Sequence, residues 1–155
     1  MQSITPITSL HEEQQLMSSL LELMQQEQQF LLAAAIEELT EVTARKSSLV
    51  GQLSVLASRR HAALAGAGYP AQEDSMDAWL VAHGDSDAQA AWSALLELTR
   101  SAKETNRLNG MLVNKHLVHT QGALNTMHPA AQSGNFYGPS GQTTTNNTSR
   151  RVVIG

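Results

Sequence analysis

An all-α fold, a long antiparallel helical hairpin of coiled-coil character with a short connecting helix, is predicted by three features of this 155-residue sequence. Its apolar residues (41%) are mostly Leu, Ala and Met, while aromatic residues amount to only 4%. Leu, Ala, Met, Gln and Glu favour helices, whereas strands draw on β-branched and aromatic side chains. Two long stretches carry apolar residues at alternating steps of three and four. Gly and Pro gather mainly between and after those stretches. The length suits one domain with its own core.

The first stretch, from about residue 9 to 65, has no Pro and a single Gly. Met17, Leu20, Leu21, Met24, Leu31 and Ala35 form a stripe, which Leu39, Val42, Leu49, Leu53 and Leu56 continue in near-heptad steps. Thr8 or Ser9 is the expected N-cap, and Glu12 and Glu13 suit the positive end of the helix dipole. Unbroken, such a helix would be about 80 Å long at ~1.5 Å per residue. The stripe changes phase between Ala33 and Ile36, so a kink or break is expected there. GAGYP, Gly66 to Pro70, then stops the helix with a glycine and a following proline.

A short helix over 75–83, SMDAWLVAH, follows, with Trp79 and Leu80 on one side. GDSD breaks it, and Asp85 or Ser86 caps a last helix over about 87–128. That helix ends at His128-Pro129, because proline disfavours helical geometry in the residue before it. Asn109-Gly110 is a hairpin-turn dipeptide between alternating strands. Its flanks here have helical period, so Gly110 is expected inside the helix, where a missing side chain lets another backbone approach. Residues 1–128 thus make the helical domain. Residues 129–155, rich in Gly, Ser, Thr, Asn and Gln, cannot bury enough apolar surface to offset ordering and are expected to form a flexible tail.

Polar residues interrupt the inner faces at Lys46, Asn106 and Asn109, which fall roughly opposite one another in an antiparallel hairpin. Either they form a polar layer that fixes helix register, or all three are simply solvated.

Chemistry is sparse. A net charge of −4 argues against nucleic acid as the main partner. No cysteine is present, which removes disulfides, thiolate metal sites and Cys nucleophiles. The N-terminus lacks the basic-then-apolar pattern of a secretory signal, and the longest apolar run, Phe30 to Ile36, is far short of the roughly 20 residues of a membrane span. The expected setting is therefore the cytoplasm, with no membrane insertion. His116 and His119 have a ligand spacing, but a zinc site needs three or four converging ligands, so two helix histidines are the plainer reading. No nucleophile elbow or phosphate loop is present, and neither catalysis nor a cofactor is expected. What remains is a Leu- and Met-lined helical surface suited to an amphipathic partner helix, unless an internal bundle or a homodimer consumes it.

Three blocks in order resemble the FlgN family of flagellar type III export chaperones. They are EQQFLLAAAIEELTEVTARKSSLVGQLSVLASRR, ETNRLNGMLVNKHL, and FYGPSGQT followed by RRVVIG, together about two thirds of the chain. The resemblance implies a cytoplasmic chaperone that holds the hook–filament junction proteins FlgK and FlgL before export. It further implies delivery to the export gate protein FlhA, with client binding in the C-terminal region and a tail tyrosine at the gate. That tyrosine corresponds to Tyr137, beside Phe136, and a turn at Gly138–Gly141 would present both. Pro139 and Ser140 stand where relatives often carry a small residue and Asp, so a tail carboxylate is missing. The expected client anchors are Leu112, Val113, Leu117, Leu124 and Met127 on the last helix. The alternative is a structural coiled-coil or oligomeric adaptor without a dedicated client.

Overall fold

The structure, a computed structural model, describes residues 3–127. The tail over 129–155, with Phe136 and Tyr137, lies outside the described residues. Four helices are present there: α1 (Leu10–Ala33), α2 (Ile36–Gly66), α3 (Ser75–His83) and α4 (Ser86–Met127). The fold is all-α, with long helices packed against one another as the periodicity predicts.

Ser9 holds the N-cap position of α1, yet neither expected hydroxyl caps the helix. Ser9 Oγ donates instead to Glu13 Oε2 at 3.0 Å, and Thr8 Oγ1 accepts from the Thr5 N–H at 2.9 Å. The phase change near Ala33 proves to be a full reversal. Ala34 is left-handed, with φ 52°, while the Ala34 and Ala35 N–H groups donate back to Leu31 O and Phe30 O. Beyond that turn, Glu27 meets Lys46 at 3.2 Å and Glu13 meets Arg60 at 3.1 Å. Pairs further from the turn in one helix thus match pairs further from it in the other, so α1 and α2 are antiparallel. Two helices replace the single one of about 80 Å. An alanine can make this turn because its side chain is a single methyl, though the left-handed conformation still costs about 1–2 kcal/mol. Ala34→Gly is therefore expected to stabilise the fold by about 0.5–1 kcal/mol after the added unfolded-state entropy is deducted. A higher urea midpoint at unchanged slope would show it.

The end of α2 follows the glycine rule. Gly68 has φ +86°, its N–H donates to Ala65 O at 3.0 Å, and the Tyr69 N–H donates to Leu64 O at 2.9 Å. These two bonds satisfy carbonyls the helix end leaves open. Of the two candidate caps for α4, Asp85 is the one used: its Oδ1 accepts from the Ala88 N–H at 2.8 Å.

α4 runs antiparallel to α2, since Arg60 lies against Trp92 and Lys46 against Asn106. It is parallel to α1, where Gln14 Nε2 donates to Ala91 O and Asn109 Nδ2 donates to Met24 O. A core of Leu10, Leu64, Met76, Trp79, Leu80, Ala88, Trp92 and Leu95 joins all four helices. A second cluster, Leu20, Met24 and Ala102, continues it along the helices. This compact unit ends at Lys115, and residues from His116 belong to a second unit. Of that unit, residues 116–127 are described: they are helical and every one is exposed. No helix of the described residues is long and apolar enough to cross a membrane.

Candidate functional site

The polar residues of the inner faces meet. Lys46 Nζ donates to Asn106 Oδ1 at 2.8 Å and to both Glu27 carboxylate oxygens at 3.2 and 3.3 Å. Asn109 Nδ2 donates to Met24 O and to Glu27 Oε1, each at 2.8 Å. Glu27 is the member that sequence reasoning missed. A signal existed, because Leu20, Met24, Glu27 and Leu31 share one helix face at steps of four and three. Asn109 is 2% exposed, and its Oδ1 accepts no hydrogen bond from the described residues. These groups line a groove of about 310 Å³ whose other walls are Leu31, Leu39, Thr43, Gly110 and Val113. Gly110 does lie inside α4, but among the described residues the expected close backbone neighbour is missing. A side-chain carbon there would meet none of the described residues within 4 Å.

The five candidate anchors all lie on α4 and all retain exposure. Leu112 is half-buried, while Val113, Leu117, Leu124 and Met127 are 42%, 57%, 52% and 75% exposed. Leu117, Leu124 and Met127 are spaced by seven and three residues, which keeps them on one side of the helix. Upstream, the same helix buries Trp92, Leu95, Ala102 and Asn109. No described residue after Asn109 is buried. Among the described residues no three of His, Cys, Asp and Glu gather at one point to hold a metal.

At the other end of the helical bundle, a buried charge cluster links α1, α2 and the segment before α3. Arg60, 3% exposed, gives Nε and Nη2 to the Glu13 carboxylate and Nη1 and Nη2 to that of Glu73. Its guanidinium lies 4.8 Å from the centre of the Trp92 ring, and Trp92 Nε1 donates to Asp77 Oδ1 at 3.0 Å. Burial works against the Arg60 charge, but the hydrogen bonds and charges of Glu13 and Glu73 outweigh it and hold the proton more tightly than usual. Burial likewise pushes the Glu73 carboxyl up, and the hydrogen bonds from Arg60 and His61 more than reverse that, leaving it below the usual carboxylate range.

A lowered folded pKa has one sign. The stability Glu73 contributes is complete above the ordinary Glu value and is lost as pH falls through that value and then the lowered one. Glu73→Gln should therefore lower the melting temperature at neutral pH and flatten the acid limb, so that the variant and the wild type converge below about pH 4.5. A parallel acid limb in the variant would assign the acid sensitivity to other carboxylates.

Comparison with known proteins gives one match. A family model described as FlgN protein matches residues 1–145. No curated protein and no solved structure matches the chain.

Proposed function

The chain belongs to the FlgN family of flagellar export chaperones, and on that premise we propose that it is a cytoplasmic chaperone for the hook–filament junction proteins FlgK and FlgL. It keeps them from assembling early and delivers them to FlhA at the export gate; no catalytic step is involved. The observation that carries this reading is the family match over residues 1–145. The exposed apolar side chains of α4 support it, since a client's amphipathic terminal helix needs such a surface. In this reading Leu112, Val113, Leu117, Leu124 and Met127 anchor the client, and Phe136 and Tyr137 dock at the gate. An aromatic anchor seated in a partner's pocket carries a large share of binding energy.

The direct test is protection. At equal molar ratio the chaperone should shield the terminal segment of FlgK or FlgL from protease. An adaptor without a dedicated client would leave it unprotected, and that result would favour the alternative. The tail is tested separately. Tyr137→Ala should retain FlgK binding but weaken capture of the FlhA cytoplasmic domain, and normal export by this variant would remove Tyr137 from the gate contact. Client capture from a lysate of motile cells, with and without residues 129–155, separates the roles of α4 and tail.

A further inference from the structure

The acidic residues of this chain are unevenly placed. All 14 Asp and Glu residues fall within residues 1–104, and residues 105–155 hold none. The cations do not follow them: Arg107, Lys115, Arg150 and Arg151 lie in the part without Asp or Glu. On α4 the change occurs within a few turns. Arg100 pairs with Glu97 at 3.3 Å and Arg107 with Glu104 at 2.7 Å, each across three residues of the helix. That pattern then stops. Lys115 has Met111, Leu112, Val118 and His119 at the positions three and four residues away, so no carboxylate on its own helix neutralises it.

Residues 116–127 carry Leu117, Leu124 and Met127 on one side, each more than half exposed, and no Asp, Glu, Lys or Arg at all. A partner's carboxylate set beside these side chains meets no like charge. The cations that flank the stretch in the sequence, Lys115 before it and Arg150 and Arg151 after it, attract such a group. A partner's Lys or Arg would find no Asp or Glu from residue 105 onward. Membrane-surface helices and nucleic-acid surfaces both need Lys and Arg beside the contact, and residues 116–127 have neither. Resting on the chaperone reading, we infer that the client segment received here is an acidic amphipathic helix, with an apolar stripe over Leu117, Leu124 and Met127 bordered by Asp and Glu. The apolar anchors supply the affinity, and the charge pattern selects among apolar helices.

The experiment places charge beside the anchors in the full chain. Gln121 is four residues after Leu117 and three before Leu124, and Asn125 is one turn further on; both are exposed, so the fold does not rest on them. Gln121→Glu with Asn125→Glu is compared with Gln121→Lys with Asn125→Lys. Glu and Lys are similar helix formers, and circular dichroism checks that both variants keep the wild-type helix content. Binding of purified FlgK and FlgL is measured by calorimetry at roughly 50 and roughly 500 mM salt. At low salt the Glu pair should bind about tenfold or more weakly than the Lys pair, with the wild type between them. The gap should close at high salt, and wild-type binding should itself weaken there. A Glu pair that binds more tightly than the Lys pair means a basic client segment and overturns the inference. Equal behaviour of the two pairs, whether unchanged or similarly weakened, means that charge does not select the client and overturns it too. Either result leaves the chaperone reading standing. Failure of wild-type protein to bind either client removes both. Salt-sensitive self-association that neither client displaces would make the occupant the acidic part of a second copy, and the client assignment would be wrong.

Discussion

Replacing Arg60 with leucine is expected to destabilise the fold by about 3–5 kcal/mol, because it leaves a buried carboxylate without its counter-charge. Glu13 is 2% exposed and, among the described residues, would retain only the Ser9 hydroxyl, 3.0 Å away. The contact between the guanidinium and the Trp92 ring would be lost too, a further ~0.5–2 kcal/mol. Against a typical total stability of about 5–15 kcal/mol, such a loss is a large fraction. Glu73 matters less here, since its side chain is 51% exposed and water can replace the arginine. The physical claim is that most of the damage comes from the stranded charge, not from the loss of an attractive pair. Glu13→Leu combined with Arg60→Leu should therefore be more stable than Arg60→Leu alone, because leucines can fill an apolar site without any charge to desolvate. Chemical denaturation of the three proteins checks this. A double variant less stable than the single one would mean that the pair itself holds the helices together.

Replacing Leu117 and Leu124 together with Asp should abolish co-purification with FlgK while the free protein stays helical. Both residues are more than half exposed, so the fold does not rest on them. Each buried leucine anchor contributes about 1.5–3 kcal/mol. Losing two therefore weakens binding by roughly 10²–10⁴-fold. Circular dichroism separates this outcome from unfolding. A double variant that binds FlgK normally would move the client site off this face of α4.

The helix bounds were largely readable from local chemistry. Gly68 and Asp85 sit where backbone geometry demands a positive φ and a carboxylate cap, so the ends of α2 and the start of α4 follow from short-range rules. The turn at Ala34 was readable only in part. A phase change in the stripe marks an interruption, but no glycine or proline announces a reversal there. Only the pairing of Glu27 with Lys46 and of Glu13 with Arg60 across the turn distinguishes a kink from a hairpin. Those same pairs explain the missed residues. Glu13, Glu27 and Arg60 occupy apolar-stripe positions, alongside Leu10 and Met17, Met24 and Leu31, and Leu56 and Leu64 respectively. A charge in such a position reads either as an exposed break in the stripe or as half of a buried pair. The sequence cannot choose between them, because the partner is up to 47 residues away.

By itself, then, the sequence determined an all-α chain, the end of α2 and the bounds of α3 and the start of α4, its family, and the interruption of the inner faces by Lys46, Asn106 and Asn109. Those properties depend on backbone propensity and side-chain period within a few residues. The tertiary structure alone decided the direction of α2, the burial of the Arg60 pairs, and the open groove at Gly110 with its unpartnered Asn109 oxygen. Each of these depends on which distant residues share a volume from which water is excluded, and that is a property of the packed helices together.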